Sequence, residues 1–153
     1  NAPGANWSSL SGSNAMRLDI YQAETARTAA AQAAIFQAAR DILRSGRPLT
    51  GLETAGLLHA LQVSTENAIG KAKHWLKASD RNVPISAYDA FAALVEAGLL
   101  PAQSLPTWNA IIGLRNRIVH DYMNINLQLI ESMVLEQREE FVLDFLLLDY
   151  PKR

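Results

Sequence analysis

The chain has 153 residues, 49% of them hydrophobic, and a formal net charge of −1. That is enough apolar material for one domain with a real core, and the near-neutral balance excludes attraction of nucleic acid by the overall field. Cysteine is absent, which excludes disulfides and thiolate metal sites and fits a reducing cytoplasm.

Residues 1–15 carry no charge and no periodicity, and Ser13-Asn14-Ala15-Met16 reads as a cloning scar before a natural initiator. We therefore expect 1–15 to be an expression-tag remnant, disordered or irregular, and 16–153 to be a single helical domain. The segment lacks the basic start and continuous apolar core of a signal peptide. Charges interrupt every later apolar run, so no membrane span is expected.

Five helices are predicted. The first runs from about Met16 to Ser45, stopped by Gly46 and Pro48, and its alanine run from Ala29 to Ala34 lets a neighbour approach closely. The second runs from about Gly51 to Ala78, with Leu57, Leu58, Leu61, Ala68, Ala72, Trp75 and Leu76 as its apolar stripe. After a loop around Asp80 to Pro84, Ser86 caps a third helix that Gly98 closes. Pro101 and Pro106 bracket the start of the fourth, and Asn126 caps the fifth. Leu127, Ile130, Val134, Phe141, Phe145 and Leu148 form one stripe on that last helix. Val142, Leu143, Leu146 and Leu147 widen it until it nearly encircles the axis. Such a helix is either well buried in one bundle or shared with a second copy.

Charge is unevenly spread. Lys71, Lys73, His74, Lys77 and Arg81 cluster on one segment, and Glu131, Glu136, Glu139, Glu140, Asp144 and Asp149 crowd the last helix. A positive and a negative side are one reading; an ordinary solvated helix face is the other. His59, His74 and His120 are too scattered for a zinc site, and no glycine-rich phosphate loop is present, so no metal and no cofactor are expected.

The fourth helix ends on Arg115-Asn116-Arg117-Ile118-Val119-His120-Asp121-Tyr122. Histidine is the side chain best placed to move a proton near neutral pH, and arginine supplies permanently charged donors to a phosphate. With RNA the neighbouring 2′-hydroxyl is a built-in nucleophile, so one proton-transfer group and one phosphate clamp suffice without metal. Asn116 and His120 are four residues apart and can touch, letting the amide orient the imidazole. Arg115 and His120 are five apart, about 140° around an ideal helix. They serve one substrate only if the helix loosens near His120 or if a second copy completes the site. A polar helix end, with His120 capping and Tyr122 half buried, is the plainer alternative.

The octet, read as Arg-Asn-x-x-Val-His-x-Tyr, resembles the Arg-x4-His-x-Tyr signature of HEPN-domain ribonuclease toxins, in particular the HepT branch. Tyr88-Asp89-Ala90-Phe91 and Leu94-Val95-Glu96-Ala97-Gly98-Leu99-Leu100-Pro101 are similar to the segment preceding the motif there, so the resemblance spans about residues 52–130. It implies an all-α, up-and-down HEPN-like bundle that pairs as a homodimer, with both motifs along a shared cleft. It implies an endoribonuclease toxin leaving a 2′,3′-cyclic phosphate, with Arg115 and His120 as the catalytic pair and Asn116 beside them. Arg117, Lys73 and Lys77 are candidate RNA contacts. The implied partner is a minimal nucleotidyltransferase (MNT) antitoxin that transfers AMP to Tyr122; a packing tyrosine is the alternative for that residue. Two other functions stay open: a non-catalytic HEPN module that pairs with the nucleotidyltransferase, and a purely structural dimerisation domain.

Overall fold

The computed structural model describes the backbone of residues 3–151 and the side chains of residues 18–151. Among the described residues are six α-helices and no strand: α1 (Pro3–Arg44), α2 (Gly51–Ala78), α3 (Ala87–Glu96), α4 (Leu105–His120), α5 (Leu127–Leu135) and α6 (Glu140–Leu147). The backbone of residues 3–15, expected to be irregular, is instead the start of α1, and the side chains there lie outside the described residues. No described helix is long and apolar enough to cross a membrane.

Local chemistry sets the helix ends. Gly46 adopts φ +87° just beyond α1, and Gly98 adopts φ +75° just beyond α3, a conformation that side-chain-bearing residues resist. Thr50 and Glu53 form a reciprocal capping box on α2, each satisfying a backbone N–H that the helix leaves free. Ser86 caps α3 and Asn126 caps α5 through their side-chain oxygens.

The apolar stripes then fix the topology. On α1 the buried positions Thr25, Ala29, Gln32, Phe36, Ala39 and Arg40 recur at three- and four-residue spacing, one face of a helix. Tyr21 stacks on His74 of α2 with ring centroids 4.0 Å apart, while Phe36, further along α1, meets Leu61, earlier on α2. The two helices are therefore antiparallel. Phe91 of α3 stacks on Trp108 of α4 at 4.1 Å, and both, with Trp75, pack around Phe145. This aromatic cluster is the centre of an up-and-down bundle.

Two further expectations are corrected. The predicted last helix is two helices, broken where Gln137 takes φ +59°. Gln137 N donates to Val134 O at 3.0 Å and Arg138 N to Met133 O at 2.9 Å, a C-terminal cap built without glycine. Arg40 explains the break. Its Nε donates to Val134 O at 2.8 Å, a carbonyl at the end of α5, and its Nη2 pairs with Glu139. Bringing Glu139 to that buried guanidinium turns the chain, and α6 then buries Val142, Leu143, Phe145 and Leu146 within its own bundle. Most of the apolar girth of α6 is thus covered internally, while Leu147 and Leu148 remain exposed.

The second correction is Lys71. It does not belong to a solvent-facing basic cluster but is fully buried. Its amine donates to Phe145 O at 2.7 Å, to Leu146 O at 3.0 Å and to Leu148 O. These are carbonyls at the end of α6, where helices leave acceptors free and a positive charge is favoured.

Candidate active site

The motif helix α4 is anchored by buried Trp108, Ile112 and Ile118. Ile118 turns inward between exposed Arg117 and exposed Val119, so the polar members of the octet are displayed around a fixed axis.

Arg115 is the most constrained of them. Its side chain is 27% exposed. Nε and Nη2 both donate to Glu66 Oε2 of α2, at 3.2 and 3.0 Å, and Nη1 donates to Asn116 Oδ1 at 3.0 Å. The amide of Asn116 therefore steadies the arginine, not the imidazole as the i,i+4 spacing suggested. Glu66 did not stand out in the sequence. Its one local sign is Gln62 four residues earlier, whose amide donates to the same oxygen at 3.2 Å.

His120 is exposed and is the last residue of α4. The helix keeps its register up to it, since Asp121 N still donates to Arg117 O at 2.8 Å. The backbone leaves helical geometry only at Asp121, with φ −143° and ψ 45°. Helical geometry therefore holds Arg115 and His120 about 140° apart with Cα atoms about 9 Å apart. Of the two ways to unite them, loosening of the helix before His120 is not what the backbone does.

Tyr122 begins a tight helical turn, Tyr122–Asn124, and is 51% exposed, which leaves its ring open to solvent on the His120 side of the bundle. Arg117 lines a groove of about 690 Å³ between α4 and the α5–α6 break, with Ile111, Leu114, Leu129, Met133 and Phe141. Lys73 and Lys77 lie elsewhere. Glu66 meets Arg115 at one level of the antiparallel pair α2 and α4, and Trp75 and Trp108 share Phe145 at another. At 1.5 Å per residue, Lys73 and Lys77 stand roughly 18 and 24 Å from His120 along the axis. Lys73 also donates to Ile85 O at 2.8 Å. Among the described residues no group of three His, Cys, Asp or Glu side chains converges to hold a metal ion.

A family model described as Ribonuclease HepT-like matches residues 31–145, about three quarters of the chain and the whole of α2 to α5. The chain belongs to that family. The match reaches well beyond the octet, from the middle of α1 to the aromatic cluster of α6. An mRNA nuclease HepT from Shewanella oneidensis is 31% identical over 81 residues, covering 53% of this HepT-like chain and 61% of the relative. The chain thus spans about three fifths of that relative's length. Two solved structures share the fold. One is a toxin–antitoxin with AMP-PNP, with a TM-score of 0.69 at 21% identity over 82% of this chain and 97% of that one. The other is a tri-AMPylated HEPN toxin from Shewanella oneidensis in complex with an MNT antitoxin, with a TM-score of 0.68 at 24% identity over 82% and 95%.

Proposed function

We propose that this chain is an endoribonuclease toxin that cuts RNA without a metal ion, acts as a cytoplasmic homodimer, and is paired with a minimal nucleotidyltransferase antitoxin. The observation that carries the reading is the state of Arg115. Glu66 and Asn116 engage three of its five guanidinium N–H groups, leaving one on each terminal nitrogen, the pattern that grips a phosphate with two prongs. His120, on the same helix end, is exposed and ready to move a proton.

The 2′-oxygen of RNA attacks the adjacent phosphorus and the bond from phosphorus to the 5′-oxygen breaks. One proton leaves the 2′-hydroxyl and one reaches the departing 5′-oxygen, giving a 2′,3′-cyclic phosphate and a 5′-hydroxyl. His120 handles proton transfer, and Arg115 holds the phosphate as charge grows on its oxygens. The unbroken helix between them favours a composite cleft, with His120 of one copy facing Arg115 of the other. The apolar groove beside Arg117 gives such a pairing surface to cover.

The exposed Tyr122 is the acceptor for the partner. Its phenolic oxygen attacks the α-phosphorus of ATP, pyrophosphate leaves, and the AMP ester places negative charge beside Arg115 and His120, where RNA phosphate must sit. The toxin–antitoxin and AMPylated relatives support this regulation.

Growth after inducing this chain alone in bacteria, beside His120→Ala at matched soluble expression, is the test. Wild type should arrest growth, His120→Ala should not, and cleaved RNA should carry cyclic ends. Equal toxicity of the two chains removes the catalytic reading and favours the non-catalytic module.

A further inference from the structure

Glu66 is a carboxylate with an unusual set of neighbours for a residue on a helix flank. Its Oε2 accepts from Arg115 Nε and Nη2 and from Gln62 Nε2, and its side chain is 37% exposed. A half-exposed ion pair of this kind adds little to stability, because solvent screens it. Its effect on the guanidinium is geometric. An arginine alone carries many rotamers, whereas one gripped along its Nε–Nη2 edge is fixed in plane and direction. Asn116 on Nη1 fixes the opposite side.

We infer that Glu66 is a positioning residue: it holds Arg115 by one edge so that the remaining terminal N–H groups stay aimed at the RNA phosphate. The inference rests on the phosphate role given to Arg115 above. A bare acidic neighbour also has an opposite consequence, since it offsets positive charge that RNA would otherwise feel. Orientation outweighs that loss for two reasons. Arginine stays protonated beside any carboxylate, and a misplacement of about 1 Å at a reacting group costs on the order of a hundredfold in rate. The contribution belongs to the transition state, where the phosphate charge grows, so it is read in kcat more than in KM.

The experiment compares wild type, Glu66→Ala and Glu66→Gln on a fluorescent RNA of mixed sequence, with thermal melting of each. Glu66→Ala should lower kcat by roughly a hundredfold with little change in KM or melting temperature. Glu66→Gln keeps a neutral acceptor and should recover part of the loss. Unchanged or faster cleavage by Glu66→Ala overturns the inference and makes the carboxylate a brake or a bystander. A loss matched by a fall in melting temperature, with no recovery in Glu66→Gln, assigns it a structural role instead. A second measurement does not need cleavage: the Arg115 Nε–H resonance of 15N-labelled protein, followed while adding RNA whose 2′-oxygens are methylated. In wild type the resonance should be sharp and should shift with RNA, and in Glu66→Ala it should broaden into exchange and lose that response. If wild type cleaves nothing, the nuclease reading fails by itself, and this spectrum decides the role of Glu66. An identical response in both proteins overturns it.

Discussion

The buried pair Arg40–Glu139 invites a quantitative test, because it ties the long helix α1 to the break that shapes the groove beside α4. Both side chains are nearly inaccessible, 3% and 5% exposed, and Arg40 also donates to Val134 O and to Gln37 Oε1. Glu139→Gln keeps the shape and removes the charge, leaving a buried guanidinium without its counter-ion. Breaking a buried pair in this way costs about 3–5 kcal/mol, a large share of the roughly 5–15 kcal/mol that holds a domain together. At about 2–4 °C per kcal/mol for a domain of this size, the melting temperature should fall by roughly 6–20 °C. The double variant Arg40→Met with Glu139→Leu removes both charges and refills the space, so it should return most of the loss. Denaturant titration of wild type, Arg40→Met, Glu139→Leu and the double variant closes the cycle and gives the coupling energy directly. A loss below about 1 kcal/mol for Glu139→Gln, the range of a screened surface pair, refutes the burial and with it the account of why α5 and α6 separate.

Burial pushes the Lys71 ammonium down to about 8 from 10.5, with Asp149 pulling the other way. Between those values the unfolded chain keeps a proton that the fold has released, so wild type should gain roughly 3 kcal/mol over Lys71→Met as pH rises through that window; a pH-independent difference contradicts it. Tyr122→Phe should stay toxic, take up no AMP mass at that peptide when incubated with the nucleotidyltransferase, ATP and magnesium, and escape silencing by modification. Equal silencing of both chains by active partner, and of neither by inactive partner, moves the acceptor elsewhere. Arg117→Ala should weaken RNA binding and reduce the salt slope by about one, and Lys77→Ala, roughly 24 Å from His120 along the axis, should change cleavage far less. The reverse ranking places the RNA path along α2.

What the sequence made legible about the fold was carried by near neighbours. Gly46, Ser86, Gly98 and Asn126 act within a few residues of themselves, so the helix ends they mark stand where their chemistry put them. The break at Gln137 had no such mark. Glu136-Gln137-Arg138-Glu139 contains neither glycine nor proline, and its cause is Arg40, 99 residues from Glu139. Lys71 was misread for the same reason. A lysine among Lys73, His74 and Lys77 looks solvated until the α6 carbonyls, 75 residues away at Leu146, arrive to receive it. Once α6 turns at that break, Val142, Leu143 and Leu146 of the all-round apolar pattern are satisfied inside one chain, while Leu147 and Leu148 stay on its surface.

The candidate site divides along the same line. Arg115, Asn116, His120 and Tyr122 lie within eight residues at one helix end, and their types suit metal-free phosphodiester chemistry, with a plain polar helix end as the alternative until the resemblance of the whole octet is added. Helical spacing is equally local, which is why the 140° between Arg115 and His120 follows from counting. What counting cannot supply is which polar group each one meets. Asn116 has a choice between the imidazole four residues on and the guanidinium beside it, and the deciding partner is Glu66, 49 residues back. With Glu66 holding one edge of Arg115, Asn116 completes the hold on Nη1 and leaves His120 to solvent. The dimer proposed above is asked for by the proposed chemistry. One unbroken helix carries the proposed clamp and the proposed proton carrier on different faces, and the composite cleft proposed above answers this by setting each clamp opposite the other copy's imidazole.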